Sequence, residues 1–514
     1  MFTQIVEGFS MMFTPMTILL ILAGVIAGTF LGAIPGLTST MGIALILPVT
    51  FYLDPIAGIS MLIAMYKGGM FGGSISAILF NAPGTPAAAA TALDGYVLKQ
   101  KGYPRKTIRL ALISSTTGDL VGNLVLIFTA GLLASVALRF GPTENASLVI
   151  FALVLIIVIT GNSIAKNLIS VLIGLLIATI GADPVTSIPR FDFGMVELSG
   201  SVSIIALVIG LLAVSEVFET MAQHYRNRNK ADKSKSNISE IEMGEKSQNV
   251  DKDEDNLTWK EVTAVKRTLG RSAIIGTLIG ALPGLGPVTA SFVSYAQAKS
   301  KSKNGDNFGK GEKEGVVAAE TANSAVGSSN LIPLLSLGIP GDATAALIFG
   351  ALIIHGIIPG PQLIETNGSI VYGIFAGMLL ASVFCLVINW YASNIFRKIA
   401  VIRPTVLMPV ILVLCIAGTY GYSQASFDII VMFIFGVLGF VLKKVEIPLV
   451  GVVIGFVLGP KLEESIRQVL VLSNGDLGVF FTRPISLAFL IIALFVTFGQ
   501  FRKEKKLKDE KKAA

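Results

Sequence analysis

The stretch GTFLGAIPGL at residues 28–37 recurs as GTLIGALPGL at residues 276–285, with seven of ten positions identical. A second pair follows in the same order, because NAPGTPAAAA at residues 81–90 corresponds to GIPGDATAAL at residues 338–347. Two motifs repeated in one order indicate a duplicated architecture, which is common in transporters. Pro removes a backbone donor and Gly permits close backbone approach, so each Pro-Gly predicts an interruption of an apolar helix.

The amino-acid composition indicates that such helices would lie in a membrane. Of 514 residues, 53% are hydrophobic and only 14% are charged, whereas a soluble domain has about 25% charged residues. The mean hydropathy is +0.74. The sequence therefore predicts an all-α polytopic membrane protein in contact with a lipid bilayer.

The net charge of +7 does not indicate a nucleic-acid partner. Lys and Arg stand in a few short clusters, which is typical of membrane orientation signals rather than of a nucleic-acid surface. The two cysteines, Cys385 and Cys415, lie in apolar stretches outside any metal-ligand spacing. We therefore expect neither a metal nor another cofactor.

Apolar runs long enough to cross a bilayer recur along the chain, and we expect about 11 transmembrane crossings. Nine of them are predicted near residues 108–138, 145–160, 166–181, 203–222, 369–396, 405–419, 426–442, 446–459 and 485–501. Each half has one further crossing, broken at its second Pro-Gly.

The first Pro-Gly of each half divides two short helical pieces, 17–34 with 41–53 and 272–282 with 287–297. We interpret both pairs as re-entrant hairpins. Their tips are predicted at Pro35, Gly36 and Thr38 in the first half and at Pro283 and Gly284 in the second.

Lys and Arg mark the cytoplasmic loops. The loop that closes the first hairpin contains only Asp54, whereas the loop that closes the second contains Lys299, Lys301 and Lys303. The first hairpin therefore opens outside and the second inside, which predicts an inverted repeat with the N-terminus outside and the C-terminus in the cytoplasm. The predicted units are a first repeat (1–225), a polar cytoplasmic linker (226–270), a second repeat (271–484) and a final helix with a basic tail (485–514).

Inverted repeats bind substrate near the bilayer midplane, where the ends of broken helices present unpaired N–H groups to anions. Residues 66–96 and 320–350 combine such breaks with amides and hydroxyls. The predicted substrate-binding residues are Asn81, Pro83, Gly84, Thr85, Asn323, Ser324, Ser329, Asn330, Pro340, Gly341 and Thr344. The alternative is that the small residues only allow close helix packing.

Charged side chains at membrane depth are functional candidates because burying them is costly. Candidates for ion coupling or charge pairing are Lys67, Asp94, Asp119, Glu320 and Asp342. Lys67 could attract an anionic substrate and a carboxylate could hold a coupling cation, but structural ion pairs explain the same residues.

The sequence contains neither H-E-x-x-H nor G-x-S-x-G, and GDNFGKG at residues 305–311 lacks the spacing of a phosphate-binding loop. We therefore expect a protein that is not an enzyme. A passive channel or a membrane scaffold remains the alternative to a transporter, because broken Gly-rich helices also build pores.

Several motifs resemble the large membrane subunit of the tripartite tricarboxylate transporter family. They are AILFNAPGTPAAAATALDGY (77–96), PGLGPVTASFVSYAQAK (283–299), FGKG (308–311) and IPLLSLGIPGDATAALIFGALIIHG (332–356). The sequence departs from the family pattern at Lys67, where a small or uncharged residue is usual, and also at Phe71 and Ala319.

This resemblance implies a permease in the cytoplasmic membrane of a bacterium. Its partners would be a small membrane subunit and an extracytoplasmic solute-binding protein that delivers a carboxylate. The substrate would be a tricarboxylate such as citrate, or a dicarboxylate or aromatic acid. Import would be driven by a Na⁺ or H⁺ gradient.

Overall fold

The computed structural model describes residues 2–34, 38–138, 140–159, 163–222, 255–392 and 404–513. The predicted tip residues Pro35 and Gly36 and most of the predicted linker lie outside the described residues. The described chain is almost entirely helical. Its first nine helices are α1 (Phe2–Met12), α2 (Pro15–Ala33), α3 (Ser39–Thr50), α4 (Pro55–Phe80), α5 (Ala88–Gln100), α6 (Pro104–Ala137), α7 (Pro142–Ile159), α8 (Ile164–Ile177) and α9 (Ile204–Ala222).

The helices that follow residue 254 are α10 (Trp259–Ala264), α11 (Lys266–Gly280), α12 (Gly286–Lys301), α13 (Lys313–Ser329), α14 (Leu331–Leu337), α15 (Ala343–Ile354), α16 (Leu363–Ala392), α17 (Pro404–Ser423), α18 (Ser426–Lys444), α19 (Leu449–Leu472), α20 (Val479–Thr482) and α21 (Pro484–Ala513). Short 3₁₀ turns occur at Val196–Leu198 and Gly305–Asn307, and α9 contains a π turn at Ile209–Val214.

Within the described residues, six helices are long and apolar enough to cross a membrane: α2, α4, α6, α9, α16 and α18. Shorter apolar segments occur at Ser39–Thr50, Pro142–Val158, Ile164–Ile177, Ala343–Ile354, Ile411–Ser423 and Pro484–Gln500. The prediction of an all-α polytopic membrane protein is confirmed.

Three elements were not predicted. Helix α1 lies before the first hairpin and packs on α16, where a Cβ added at Gly8 would lie 2.3 Å from the Ser369 carbonyl oxygen. The segments Gly181–Ala182 and Pro189–Arg190 pair as a two-stranded antiparallel sheet. Within 255–270, the predicted polar linker contains α10 and the start of α11, because Thr258 and Glu261 form a capping box that starts a helix.

Helix α2 packs closely on α4, and α11 packs closely on α13; α4 and α13 both lie before a helix break in the sequence. A Cβ added at Gly28 would lie 2.1 Å from the Met65 carbonyl oxygen, and one added at Gly276 would lie 2.4 Å from that of Ala322. Gly28 and Gly276 are 248 residues apart, and Met65 and Ala322 are 257 apart. These two offsets are the ones that relate the repeated motifs.

The chain leaves helical geometry at both second Pro-Gly motifs. Helix α4 ends at Asn81 and α14 ends at Gly338, each in the left-handed conformation with φ of 54° and 72°. Helices resume at Ala88 and Ala343. The breaks expose backbone groups inside an apolar protein, which is tolerated only against protein or a water-filled cavity.

Candidate functional site

A cavity of about 770 Å³ reaches both helix breaks. Pro86 follows the first Pro-Gly, Ala343 follows the second, and Thr38 and Thr40 come from the first hairpin. The other lining residues are Ser163, Lys166, Asn167, Leu212, Glu216, Glu219, Lys443, Glu446, Ile447, Pro448, Leu449 and Val450. The cavity is therefore the place where the hairpin and the two interruptions meet.

The N-termini of α3 and α15 lie at this cavity. The Thr38 hydroxyl accepts the Met41 N–H at 3.2 Å at the start of α3, and the Asp342 carboxylate accepts the Ala345 N–H at 2.7 Å at the start of α15. The hydroxyl oxygens of Thr40 and Thr344 are 2.9 Å apart, which ties the two helix starts together. The N–H groups at such ends attract anions, and at the start of α15 the Asp342 carboxylate is already such an anion.

Charged residues line another part of the cavity wall. Lys443 forms ion pairs with Glu216 and Glu219, and the Lys166 Nζ lies 2.8 Å from the Glu446 carboxylate. The hydrogen bond from Lys166 lowers the pKa of Glu446 below its ordinary value. Both lysines are partly exposed, so an anion that enters the cavity can compete for them.

Lys67 does not reach this cavity. Its buried Nζ lies 2.9 and 3.0 Å from the two Asp119 carboxylate oxygens and 3.1 Å from the Asn123 Oδ1. It also lies 3.0 Å from the Met378 carbonyl oxygen and from the Ser382 hydroxyl. Lys67 and Asp119, both sequence candidates, thus form a buried ion pair.

Glu320 is completely buried, and no cationic side chain of the described residues pairs with it. Its Oε1 accepts hydrogen bonds from Ser74, at 2.6 Å, and from Thr91. Its Oε2 has no partner among the described residues. A buried ionised carboxylate is costly without a compensating charge, so Glu320 is a candidate for contact with an ion.

Asp94 fastens the two halves to each other. Its Oδ1 accepts the N–H groups of Gly309, Gly311 and Glu312, each at 2.8 Å, and its Oδ2 accepts the Tyr295 hydroxyl at 2.7 Å. The FGKG motif therefore wraps around a carboxylate of the first half. Both carboxylate oxygens of Asp94 are therefore occupied by these hydrogen bonds.

Among the predicted substrate-binding residues, Thr344 is next to the cavity, and Thr85 immediately precedes Pro86 in its wall. The Thr85 hydroxyl and both side-chain polar atoms of Asn323 are buried and have no partner among the described residues. Asn81, in contrast, is exposed. An orphaned buried amide is expensive, so Asn323 is a candidate for a ligand contact.

Other predicted residues hold the breaks in place. The Gly284 N–H donates to the Gly341 carbonyl oxygen at 2.7 Å, so the second hairpin tip and the second break are bonded together. The Gly84 N–H donates to Gly73 at 3.2 Å. A Cβ added at Gly341 would lie only 1.7 Å from the Asn330 Oδ1. Pro83 and Pro340 flank these contacts.

Ser324 and Ser329 do not line this cavity. The Ser324 hydroxyl lies 2.7 Å from that of Ser115, and the Ser329 hydroxyl donates to the Ala325 carbonyl oxygen at 2.8 Å. The structure therefore brings Thr38 and Thr344 to the cavity, where Pro86, the neighbour of Thr85, also lies, and it leaves Ser324 and Ser329 in helix packing.

Sequence reasoning missed several residues of the site. Thr40 stands two positions after the predicted tip residue Thr38, and Tyr66 donates a hydrogen bond of 3.2 Å to Asp342. Lys166 and Lys443 also line the cavity. Hydroxyls within one turn of a predicted helix start were the signal that could have identified Thr40.

Comparison with known proteins places the chain in a family. The tripartite tricarboxylate transporter TctA family matches residues 18–454. The chain belongs to this family. It is therefore a transporter permease rather than an enzyme, and a tripartite system implies a small membrane subunit and a solute-binding protein as partners.

Two relatives come from Agrobacterium vitis. An uncharacterised 52.8 kDa protein in the TAR-I ttuC' 3' region is 36% identical over 490 residues, which cover 95% of this chain and 93% of the relative. An uncharacterised protein in the TAR-II ttuC' 3' region is 40% identical over 219 residues, covering 43% of this chain and 90% of the relative. No solved structure matches this TctA-family chain.

Proposed function

We propose that this TctA-family chain is a secondary active importer of small carboxylates. The observation that carries the proposal is the cavity in which the starts of α3 and α15 meet and are joined by Thr40 and Thr344. Its volume of about 770 Å³ lies within the range of small-molecule sites. N–H groups at the two helix starts provide donors for carboxylate oxygens.

The architecture that we propose around this cavity is an inverted repeat. Its support is the paired offsets of 248 and 257 residues between Gly28 and Gly276 and between Met65 and Ala322. The left-handed helix ends at Asn81 and Gly338 are also 257 residues apart. In this proposal the N-terminus lies outside and the C-terminus lies in the cytoplasm of a bacterial cell.

The cavity is proposed to open toward the cytoplasm. Lys443 lies in the last turn of α18, and Lys166 lies in the first turn of α8. Basic residues near helix ends mark the cytoplasmic side. Lys166 and Lys443 then attract the carboxylate toward the cytoplasm as it leaves the helix starts. The ion pairs between these lysines and their glutamate partners form again once the substrate has left.

Ion coupling is proposed to involve Glu320. Its unpartnered oxygen and complete burial are the properties of a carboxyl group that binds and releases a coupling ion at membrane depth. The ion is H⁺ if Glu320 is protonated in the closed state and Na⁺ if that oxygen ligates a metal. Uptake under separate gradients distinguishes the two ions.

The test of the substrate site uses Thr40→Val and Thr344→Val in vesicles that contain this permease, the small membrane subunit and the solute-binding protein. Valine keeps the shape and removes the hydroxyl. We expect each variant to lower carboxylate uptake by at least about tenfold, because a lost charge-assisted hydrogen bond costs about 1.5–3 kcal/mol.

The matched control is Thr129→Val on α6, where the hydroxyl donates to the carbonyl oxygen of its own helix at Val125. This variant should transport like the unmodified protein. If Thr40→Val and Thr344→Val also transport normally, the substrate does not bind at these helix starts.

A further inference from the structure

The pocket around the Lys67 ammonium group has the composition of a cation site. Five oxygen atoms surround the Nζ at 2.9–3.1 Å, supplied by Asp119 (two oxygens), Asn123, Met378 and Ser382. An ammonium group has only three N–H donors. The oxygens therefore outnumber the hydrogens, and they form a shell around a charge rather than three directed acceptors.

This oxygen shell is held together without Lys67. The Asp119 carboxylate accepts hydrogen bonds of 2.5 Å from Ser328 and from Ser382. The Asn123 Nδ2 donates to the Ser382 hydroxyl at 3.0 Å. Because these contacts join α6, α13 and α16 to one another, the shell is expected to persist when the ammonium group is removed.

The charge of the shell matches a monovalent ion. Asp119 is its only charged member, and the other ligands are an amide, a carbonyl and a hydroxyl oxygen. Divalent ions favour sites with more carboxylates. Within the described chain, moreover, no group of three or more His, Cys, Asp or Glu side chains could hold a metal ion.

A small void adjoins the shell. It has a volume of about 10 Å³ and is lined by Lys67, Met70, Ser115, Thr116, Asp119, Ser324, Ser382 and Cys385. That is close to the space of one water molecule. Removing most of the Lys67 side chain would connect this void with the shell and make room for an ion and its water.

We propose that this pocket is a monovalent-cation site that the chain fills with its own ammonium group. The tethered cation keeps Asp119 neutralised whatever the salt outside. It follows that the Lys67 pocket does not release an ion during transport, and coupling has to occur elsewhere in the protein. The inference itself stands without the proposed transport function, because it concerns only what binds to Asp119.

The experiment replaces Lys67 by alanine and supplies free monovalent ions. Thermal unfolding of the purified full-length protein in detergent is measured in KCl, in NaCl and in choline chloride at equal ionic strength. For Lys67→Ala, K⁺ or Na⁺ should raise the unfolding midpoint by at least about 2 °C more than in the unmodified protein, because an ion that binds only the folded state stabilises it.

Two variants serve as controls. Lys67→Met removes the charge but leaves the space filled, and Lys67→Ala combined with Asp119→Asn removes the shell's charged ligand. Neither should respond to K⁺ or Na⁺ beyond the unmodified protein. The inference is overturned if Lys67→Ala shows no added response, or if Lys67→Met responds as strongly as Lys67→Ala.

Lys67→Ala could prove too unstable to extract. The same salt series is then run on native membranes, with resistance of the protein to added protease as the readout. Greater resistance of Lys67→Ala in KCl or NaCl than in choline chloride supports the inference. Equal resistance in all three salts contradicts it, provided that Lys67→Met is also unchanged.

Discussion

Two buried charged groups of this protein differ in how completely they are bonded. The Lys67 ammonium has five oxygens around it and an ionised partner in Asp119. Glu320 has two hydroxyl donors, no cation and one oxygen without a partner in the described chain. The comparison teaches that burial of a charge does not identify its role. The Lys67 ammonium is fully hydrogen-bonded and joins helices together, whereas Glu320 keeps one carboxylate oxygen without a partner in the described chain, which is the position that the proposed ion coupling requires.

The largest effect is expected where the saturated pair is broken. Asp119→Asn leaves the Lys67 ammonium buried without an opposite charge, and we expect a loss of about 3–5 kcal/mol of stability. Chemical unfolding in detergent measures it. The matched control, Asp306→Asn on an exposed turn, should change stability by less than about 0.5 kcal/mol. A small loss in Asp119→Asn would show that the ion pair is not structural.

Glu320→Gln tests the other side of the comparison. The amide oxygen can still accept from Ser74 and Thr91, so stability should change by less than about 1 kcal/mol. Accumulation of carboxylate against its gradient should fall at least about tenfold, because the exchangeable ion is lost. Ser74→Ala keeps the carboxyl group and should retain coupled uptake. Full coupled uptake by Glu320→Gln would remove Glu320 from the mechanism.

Two buried asparagines differ in the same way as Lys67 and Glu320, one fully hydrogen-bonded and the other without partners in the described chain. Asn123 is bonded through both side-chain atoms, to Lys67 and Ser382, whereas both polar atoms of Asn323 lack partners in the described chain. Asn123→Ala should lower stability by about 1–3 kcal/mol. Asn323→Ala should leave stability nearly unchanged and reduce uptake. Thermal unfolding and vesicle uptake of both variants check this, and the reverse pattern would refute it.

The smallest effect is expected at a partly buried ion pair near the surface. Burial would raise the pKa of Glu261, but hydrogen bonds from Lys313, Thr258 and Lys106 outweigh it and lower the pKa to about 2. A lowered pKa in the folded state stabilises the protein above the unfolded-state pKa of about 4.3. This contribution is lost as the pH falls from there through about 2, and for a pair near the surface it amounts to about 1 kcal/mol or less.

The contribution of the Glu261 charge is isolated by comparing the unmodified protein with Glu261→Gln. The free energy of unfolding of both proteins is measured over about three pH units, from about pH 6 to about pH 3. The difference between the two proteins should shrink as the pH falls. A difference that is independent of pH would show that Glu261 acts through packing and not through its charge.

Much of the helical architecture could be predicted from the sequence. The expected crossing near 108–138 corresponds to Pro104–Ala137, and the expected hairpin piece at 41–53 corresponds to Ser39–Thr50. Apolar length and Pro-Gly breaks are local properties, so they can be read from neighbouring residues. The same local signals placed the interruptions that follow Phe80 and Leu337.

The pairing of side chains could not be predicted, because it depends on distant parts of the chain. Lys67 and Asp119 were both candidates, but the Met378 and Ser382 ligands lie 311 and 315 residues after Lys67. Asp94 was a coupling candidate, yet its partners include three backbone N–H groups that carry no side-chain signature. Lys166 and Lys443 in the cavity wall were missed for the same reason, because Lys166 is 280 residues from Glu446 and Lys443 is 227 residues from Glu216.

Secondary active import is tested most directly by measuring carboxylate accumulation in vesicles that contain this permease, a small membrane subunit and a solute-binding protein. Na⁺ and proton gradients are imposed separately, with a panel of tricarboxylates, dicarboxylates and aromatic acids. We predict that one acid accumulates above its outside concentration under one of the two gradients. Equilibration that is indifferent to both gradients and to the binding protein would contradict it and indicate a passive channel.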